Sequence, residues 1–255
     1  MNKKYPLHFQ FEIEGKSYLY AYIRKSGSSG FKNLLEQECL GQKNKSSDRI
    51  LPLIRNFGVT SPNQIKNIDY SFFVIREPYE RLVSFYIERF IKRHNLHCDI
   101  KKKIEKRMDK SYAESSFRDF LDLYVLKYPL YSLDPHVVPQ AFFLMPICYT
   151  HIFCLDNLSE AIQQIFSQRV AGKYFSDKVH SMEKVFKQTT HTTLSENCFT
   201  IQSQDLFHAY NDHKKYISKD LFFNACYFDL ICGLFKQDCN IYNSVKYRDS
   251  RKAAA

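Results

Sequence analysis

The chain has 255 residues, of which 44% are hydrophobic and 16% are aromatic, and it carries a formal net charge of +10 at pH 7. This composition excludes an intrinsically disordered chain, because disordered chains lack the apolar residues needed to bury a core. The length fits one α/β domain, which we expect over residues 1–252. The basic charge favours an anionic partner, such as a nucleotide, an acidic glycan, nucleic acid or a membrane surface.

The cysteines and the apolar runs indicate the compartment. The eight cysteines include no C-x-x-C pair, and most lie in apolar runs such as residues 147–149. We therefore expect buried thiols in a reducing compartment rather than a disulfide framework or a zinc site. Because no apolar h-region follows Lys3 and Lys4 and no apolar stretch has transmembrane length, the sequence predicts a cytoplasmic protein. Residues 253–255 are expected to be a remnant of expression cloning.

The first two predicted elements are strands. Residues 7–14 alternate apolar and polar side chains, which is typical of a half-exposed strand. Glu14, Gly15 and Lys16 form a turn into an aromatic-rich run at 18–23, which is short and β-prone and so predicts a buried strand. The two strands are expected to form a hairpin at the edge of the sheet.

A short polar loop follows the second strand. Its residues are basic, hydroxylated or glycine, namely Arg24, Lys25, Ser26, Gly27, Ser28, Ser29 and Gly30. Apolar residues return at helical spacing from Phe31 to Leu40. A strand, a loop and a helix in this order make an anion site, because the first helical amides and the positive end of the helix dipole point into the loop. The ATP- and GTP-binding form needs G-x-x-x-x-G-K-[ST], which is absent here, and a polar turn that binds nothing is the alternative.

Residues 69–86 predict another strand that leads directly into a helix. Residues 70–75 form a buried-strand run, and Pro78 stands where a helix has its first residue, because its missing N–H is not needed there. Arg76 ends the strand, and Ser84 lies two turns into the helix on its polar side. An arginine fork and a hydroxyl can together bind a phosphate. The alternatives are a surface ion pair for the arginine and an exposed helical position for the serine.

The middle of the chain combines a basic segment, a helix and a rigid loop. Residues 91–107 are strongly basic, which indicates a solvated face or a surface that attracts an acidic polysaccharide. A helix is predicted from about Ser116. Further on, Pro135 and Pro139 fix a loop that presents His136 outside helix and sheet.

The last part of the chain contains four predicted segments. Residues 149–155 predict a strand, and residues 156–160 predict a helix start with N-capping side chains. Residues 170–205 are polar and threonine-rich and predict an irregular region. Residues 218–236 predict a long, mostly buried helix.

Three of these segments are similar to motifs of one enzyme family. The lysine at the end of the second strand, followed by Ser-Gly-Ser-Ser, resembles the 5′-phosphosulfate loop of sulfotransferases that use 3′-phosphoadenosine 5′-phosphosulfate (PAPS). The spacing Arg-x-Pro-x-x-Arg-x-x-Ser-x-Tyr, which starts at Arg76, resembles their 3′-phosphate motif. The segment Asp-Pro-His-x-x-Pro-Gln resembles the one that follows in carbohydrate sulfotransferases of the Golgi-enzyme and bacterial family, although Val137 replaces a frequent aromatic residue. The resemblance spans about residues 18–235.

The resemblance implies a fold, a reaction and roles for the site residues. The fold would be a single α/β domain with a P-loop-like central parallel β-sheet flanked by helices. PAPS would donate a sulfuryl group to a carbohydrate hydroxyl by in-line transfer, without a metal. The loop over residues 24–30 would bind the 5′ end of the donor, and Arg76 and Ser84 would bind its 3′-phosphate. Lys25 would stabilise the leaving phosphate, and His136 would take the proton from the acceptor.

A second candidate base lies on the helix after the loop. Heparan-sulfate 3-O-sulfotransferases, whose loop is similar at its Arg-Lys-x-Gly start, use a glutamate there. The corresponding position, eight beyond Lys25, is Asn33, and Glu36 lies one helical turn further on, about 5 Å along the axis. His136 is therefore the predicted base and Glu36 the alternative. In the family motif the position of Arg81 is more often structural.

The residues leave two other functions open. A phosphate-loop kinase or nucleotidase would need a Gly-Lys-Ser/Thr sequence and a strand-end aspartate for magnesium, and the first is absent. A non-enzymatic basic module for acidic glycan or nucleic acid would explain the charge but not three ordered motifs. The predicted partners are PAPS, its product adenosine 3′,5′-bisphosphate (PAP) and a carbohydrate, with an acidic or cell-surface polysaccharide as one candidate and no nucleic acid.

Overall fold

The computed structural model describes residues 7–41, 50–96, 98–176, 194–213 and 215–253. The chain divides into two compact units, the first drawn from Met1–Arg76, Gln140–Ser181 and Gln237–Ala255, and the second from Glu77–Pro139 and Met182–Lys236. Each unit has its own buried side chains. The single domain over residues 1–252 stays a prediction.

A mixed β-sheet forms the centre of the first unit. Its strands, among the described residues, are β1 (His8–Ile13), β2 (Lys16–Ala21), β3 (Gly58–Val59), β4 (Tyr70–Ile75) and β5 (His151–Cys154). Their spatial order is β3-β1-β2-β4-β5. β2 and β5 both pair parallel with β4, whereas β1 pairs antiparallel with β2 and β3. The predicted α/β class is confirmed, and antiparallel strands extend the parallel part of the sheet on one side.

The predicted hairpin is formed by β1 and β2. Ile13 pairs with Lys16, so the loop consists of Glu14 and Gly15, whose φ angles are 52° and 72°. Positive φ at both loop residues gives the twist that matches two paired strands. The two-residue β3 pairs with the start of β1 at His8, so the hairpin lies one strand in from the edge there.

Helices surround the sheet and build the second unit. The described α-helices are α1 (Ser28–Leu34), α2 (Ile50–Phe57), α3 (Pro78–Tyr86), α4 (Asp99–Met108), α5 (Phe117–Phe120), α6 (Leu158–Ala161), α7 (Gln168–Tyr174), α8 (Ser203–Asn211), α9 (Ala225–Leu234) and α10 (Lys236–Ala253). Wider π-helical turns continue α1 over Leu35–Cys39, α3 over Ile87–Lys92 and α5 over Leu121–Val125. In the described part of the chain, none of the helices has the length and apolar character needed to cross a membrane.

An aromatic cluster joins α1 to the sheet in the first unit. Phe31 of α1 stacks on Tyr20 of β2, with 4.1 Å between the ring centroids, and contacts Phe175 at 4.5 Å. Phe31 is 1% exposed, and burying such a side chain stabilises the fold by about 1.5–3 kcal/mol. This packing holds the start of α1 at the carboxyl end of β2, where the polar loop lies.

The helix predicted after Arg76 forms α3, at the start of the second unit. Pro78 is its first residue, as expected, and the carboxylate of Glu77 accepts hydrogen bonds from the amides of Tyr79 at 2.9 Å and Glu80 at 2.6 Å. These bonds satisfy amides that have no partner within a helix. Arg81 on α3 is 1% exposed, and its Nη1 donates to the carbonyl oxygen of Val138 at 2.7 Å. Arg81 is therefore part of the core of the second unit.

The predicted helix over residues 218–236 is wrong in two respects. The chain first forms a 3₁₀ turn at Lys219–Phe222, and α9 then begins because the side chain of Asn224 accepts a hydrogen bond from the Tyr227 amide. Leu230 of α9 is 54% exposed, so this helix is not mostly buried. Helical spacing of apolar residues predicts a helix, but it does not show which residues the rest of the chain covers.

The irregular region expected at 170–205 is wrong at both ends. α7 runs to Tyr174 and is capped by Ser167, whose hydroxyl accepts a hydrogen bond from the Val170 amide, and α8 begins at Ser203. Residues 177–193, which include the threonine-rich segment, lie outside the described residues.

The predicted N-capping before α6 also differs. The hydroxyl of Tyr242 on α10 donates to the carboxylate of Asp156, and the side-chain amide of Asn157 donates to Asp249 at 3.0 Å. Both side chains therefore hold α10 instead of capping α6.

The prediction that the cysteine thiols are buried is confirmed for only some of the cysteines. Cys154, Cys198 and Cys239 are buried, whereas Cys148 and Cys226 are exposed. An apolar sequence context therefore overestimates the burial of the cysteines, because a single cysteine in an apolar run can still face solvent.

Candidate functional site

Lys25 and Arg76, two of the predicted donor-binding residues, meet at the carboxyl ends of neighbouring strands. β2 and β4 are adjacent and parallel, with Tyr20 opposite Phe72, so both strands end at the same edge of the sheet. Lys25 follows β2 and Arg76 follows β4, and Arg76 Nη1 lies 3.4 Å from the carbonyl oxygen of Lys25. Arg76 is 5% exposed. Its positive charge is therefore buried beside the polar loop.

The backbone of this loop turns sharply at two positions. Lys25 and Gly27 have φ angles of 68° and 73°, in the left-handed region. A Cβ atom on Gly27 would lie 3.0 Å from Leu155 Cδ1 and 3.2 Å from Leu158 Cδ2, so both the φ angle and the close approach favour glycine. Turns that use left-handed residues in this way form backbone concavities that bind anions. The loop has a backbone suited to hold an anionic group.

The serines of the loop have three different environments. Ser26 is 0% exposed, and its hydroxyl donates to Gln140 Oε1 at 2.7 Å. Ser28 is buried and hydrogen-bonds the hydroxyl of Tyr22, whose pKa is raised mainly by burial. Ser29 is exposed. The hydroxyl of Ser26 thus supports the loop itself, and a donor contact from this residue would come from its backbone.

Gln140 connects the loop to the end of β4. Its Oε1 accepts hydrogen bonds from Ser26 Oγ and from the Arg76 amide at 3.0 Å, and its Nε2 donates to the Arg76 carbonyl at 2.7 Å. Gln140 is itself 1% exposed. Gln140 is the last residue of the family motif that contains His136, but the sequence alone assigned it no role. The signal that could have indicated one is a single polar residue between Pro139 and an apolar run.

Asp238, near the start of α10, holds Gln140 from the other side. Its carboxylate accepts hydrogen bonds from the Gln140 amide at 2.6 Å and the Ala141 amide at 2.9 Å, and it is 0% exposed. Sequence reasoning missed this residue. No local pattern around Asp238 indicates a partner that lies 98 residues away in the chain.

In the second unit, Asp134 fixes the orientation of His136. Asp134 Oδ1 accepts a hydrogen bond from the His136 amide at 2.9 Å and lies 2.7 Å from ring atom Nδ1. The Asp134 amide donates to the hydroxyl of Tyr124 at 2.8 Å, and the His136 ring lies 5.8 Å from that of Phe85. With Nδ1 facing a carboxylate, the ring favours the tautomer whose Nε2 accepts protons. Sequence reasoning did not assign this role to Asp134.

The other predicted site residues differ in exposure. Arg24 and Lys25 are half-buried in the first unit, and Ser84 is half-buried on α3 in the second. Glu36, the alternative base, is 1% exposed, in the π-helical turn after α1. A base must reach the acceptor hydroxyl, so burial of this carboxylate disfavours Glu36 in the described conformation.

Comparison with known proteins identifies the family. The sequence model of the sulfotransferase family matches residues 13–243. Carbohydrate sulfotransferase 11 of Rattus norvegicus is 26% identical over 137 residues, and the match covers 48% of this chain and 38% of that protein. The protein of the same name from Mus musculus gives the same values, so this chain spans well under half the length of these curated relatives. No solved structure matches the chain. Because the family match includes the loop after β2 and the segments with Arg76 and His136, the predicted resemblance is confirmed, and the chain belongs to the sulfotransferase family.

Proposed function

We propose that the protein transfers a sulfuryl group from PAPS to a hydroxyl of a carbohydrate. The contact between Arg76 Nη1 and the Lys25 carbonyl at adjacent strand ends carries this proposal, because it brings two cationic residues together at a loop suited to an anion. Membership of the sulfotransferase family supports the reaction. The relatives named carbohydrate sulfotransferase 11 support the class of acceptor.

The donor is held by two groups of residues. The loop over residues 24–30 binds the 5′-phosphosulfate end with its backbone amides and with Lys25. Arg76 binds the 3′-phosphate, since a guanidinium fork matches the oxygens of a phosphate, and Ser84 contributes its hydroxyl to the same group. Arg24, which is half-buried next to Lys25, adds positive charge to the loop.

Residues of this chain supply the charge and proton steps of the transfer. The acceptor oxygen forms a bond to sulfur while the bond between sulfur and the 5′-phosphate oxygen breaks, and PAP leaves. Lys25 stabilises the negative charge on the leaving phosphate oxygen. His136 accepts the hydroxyl proton at Nε2, and Asp134 holds the ring and stabilises the imidazolium that results. No metal takes part in this scheme.

The acceptor we propose is an acidic carbohydrate. Lys102, Lys103 and Lys106 on α4 are exposed and give the second unit a basic surface. Lys101 on the same helix has a different role, because it is 2% exposed and donates to the carbonyl oxygen of Arg93 at 2.9 Å. On α4, Lys102, Lys103 and Lys106 rather than Lys101 are therefore available to an anionic chain.

A transfer assay with matched histidine variants tests this proposal. The protein is incubated with PAPS labelled in the sulfuryl group and with acidic and neutral oligosaccharides. His136→Ala should lower turnover by about 10²-fold or more while PAP binding is retained. His208→Ala is the control, because His208 also pairs with an aspartate, Asp212 at 2.6 Å, but is exposed on α8. Label transfer by His136→Ala at the wild-type rate would contradict the role of His136, and no transfer by the wild type to any oligosaccharide would contradict the proposed function.

A further inference from the structure

We propose that Gln140, held by Asp238, is a positioning residue that sets the spacing between the loop after β2 and Arg76. In this role Gln140 gives the protein its preference for an adenosine that carries phosphates at both the 5′ and the 3′ position. The inference rests on the proposed function, because it assigns the loop to one phosphate and Arg76 to the other.

A single atom of Gln140 connects the two segments. Oε1 accepts from Ser26 Oγ at 2.7 Å and from the Arg76 amide at 3.0 Å, so one oxygen connects the loop after β2 with the residue that follows β4. Nε2 donates to the Arg76 carbonyl at 2.7 Å, which adds a second bond to the same residue. These bonds fix the main chain of Arg76 beside the loop, where Nη1 of its side chain lies 3.4 Å from the Lys25 carbonyl oxygen.

The chemistry of this position requires an amide. Oε1 faces two donors, and Nε2 faces two oxygens, the Arg76 carbonyl and Asp238 Oδ2 at 3.5 Å. A carboxylate of the same shape would place an oxygen against both of these oxygens. Because Gln140 and Asp238 are 1% and 0% exposed, water is not available to relieve the repulsion. Gln140→Glu therefore changes the bonding with almost no change of volume.

Asp238 holds the backbone that carries Gln140. Its carboxylate accepts hydrogen bonds from the main-chain N–H groups of Gln140 and Ala141. The backbone of Gln140 is therefore fixed as well as its side-chain amide. A rigid support of this kind matters for a ligand with two anionic groups. A misplacement of about 1 Å between two binding groups can cost about 10²-fold in binding or rate.

The test compares three nucleotides by titration calorimetry. Dissociation constants of PAP, adenosine 5′-monophosphate and adenosine 3′-monophosphate are measured for the wild type, Gln140→Glu and Gln140→Ala. The wild type should bind PAP more tightly than either monophosphate. In both variants this preference should fall by about 10- to 100-fold, while the affinities for the monophosphates change much less. If Gln140 only stabilised the fold, its substitution would weaken the binding of all three nucleotides by a similar factor.

Ser71→Ala is the matched control. Ser71 is a buried polar residue at the opposite end of β4, where its hydroxyl donates to the Cys148 carbonyl at 3.1 Å. This variant should keep the wild-type preference for PAP. If Gln140→Ala does not fold, Ser26→Ala serves instead, because it removes one of the two hydrogen bonds to Gln140 Oε1. This variant should lower the preference for PAP by a smaller factor.

The outcomes separate the two proposals. A wild type that prefers PAP together with Gln140 variants that keep the same preference would overturn the positioning role alone. A wild type that binds PAP no better than the monophosphates would overturn the proposed function, and this inference with it. If the preference for PAP is lost in the Gln140 variants and kept in Ser71→Ala, the result would support both the positioning role and the proposed function.

Discussion

Arg76 Nη1 lies 3.4 Å from the carbonyl oxygen of Lys25, although the two residues are 51 positions apart in the chain. The contact follows from the topology, because β2 and β4 are parallel neighbours and both strands end at the same edge. Ligands of α/β sheets bind at such carboxyl edges. A ligand with two phosphate groups can therefore contact both strand ends at once.

Gly27→Ala should destabilise the protein and weaken PAP binding. The φ angle of 73° opposes a methyl group, and so does the Leu155 side chain, which would lie 3.0 Å from the new Cβ atom. The free energy of unfolding should therefore fall by about 1–3 kcal/mol, which urea denaturation measures. Gly172→Ala in α7 is the control, because its Cβ would meet no atom within 4 Å, and alanine should stabilise the helix by about 0.5–1 kcal/mol. Equal destabilisation by both substitutions would contradict this account of the loop.

Substitutions of Arg81 and Ser84 should have different effects, the first on the stability of the protein and the second on its binding of PAP. Arg81→Ala removes a fully buried side chain and its bond to the Val138 carbonyl, so the free energy of unfolding should fall by about 3 kcal/mol or more. Ser84→Ala should change stability by no more than about 0.5 kcal/mol but weaken PAP binding. Affinity for adenosine 5′-monophosphate should stay the same in Ser84→Ala. If Ser84→Ala bound PAP like the wild type, Ser84 would have no part in the 3′-phosphate site.

His8 should make the protein less stable in mild acid. It is 0% exposed, and burial lowers the pKa of its ring to about 4, from 6.5. Between these values the unfolded chain binds a proton that the native state does not. Stability should therefore fall as the pH is lowered from 6.5 to 4, by roughly 3 kcal/mol in all.

Denaturation curves at several pH values test this prediction. His8→Phe should flatten the dependence between pH 4 and 6.5. Tyr149→Phe should keep most of it, because Tyr149 contributes a hydrogen bond at 2.6 Å whereas burial is the cause of the shift. If the stability of His8→Phe depended on pH as steeply as that of the wild type, other groups would be the cause of the acid sensitivity.

Glu38 should stabilise the native state except in strong acid. Hydrogen bonds from Tyr174, Lys173 and Arg169 lower the pKa of its carboxyl to about 2, from 4.5. Since the folded pKa is the lower one, the contribution is fully present above about pH 4.5 and is lost as the pH falls through about 2. Glu38→Gln should therefore be less stable than the wild type at neutral pH, and the two stability curves should converge near pH 2. Parallel curves across this range would show that Glu38 is not the titrating group.

Local sequence patterns predicted the elements that carry the donor site. Residues 70–75 were expected to be a strand and form β4, and Pro78 begins α3, because apolar runs and proline act through neighbouring residues. The turn at Glu14 and Gly15 follows from the same local chemistry. The loop after β2 and its helix were predicted for this reason as well.

Contacts between distant segments could not be predicted in the same way. The bond between Gln140 and Asp238 joins residues 98 positions apart, and the hydroxyl of Ser26 donates to Gln140, 114 positions away in the chain. The exposure of Leu230 on α9 has the same cause, since periodicity reports a helix and not what covers it. Side-chain partners in the site are thus decided by tertiary packing.

The most direct test of the central claim is a comparison of PAP and ADP in thermal unfolding. Both nucleotides carry two phosphates, but only PAP has one at the 3′ position, where Arg76 is proposed to bind. At a concentration of 100 times its dissociation constant, PAP should add about 2.7 kcal/mol to the free energy of unfolding, and ADP at the same concentration should add much less. Arg76→Ala should remove the difference. Equal stabilisation of the wild type by PAP and ADP, or no response to PAP, would contradict the claim that two strand ends bind one doubly phosphorylated adenosine.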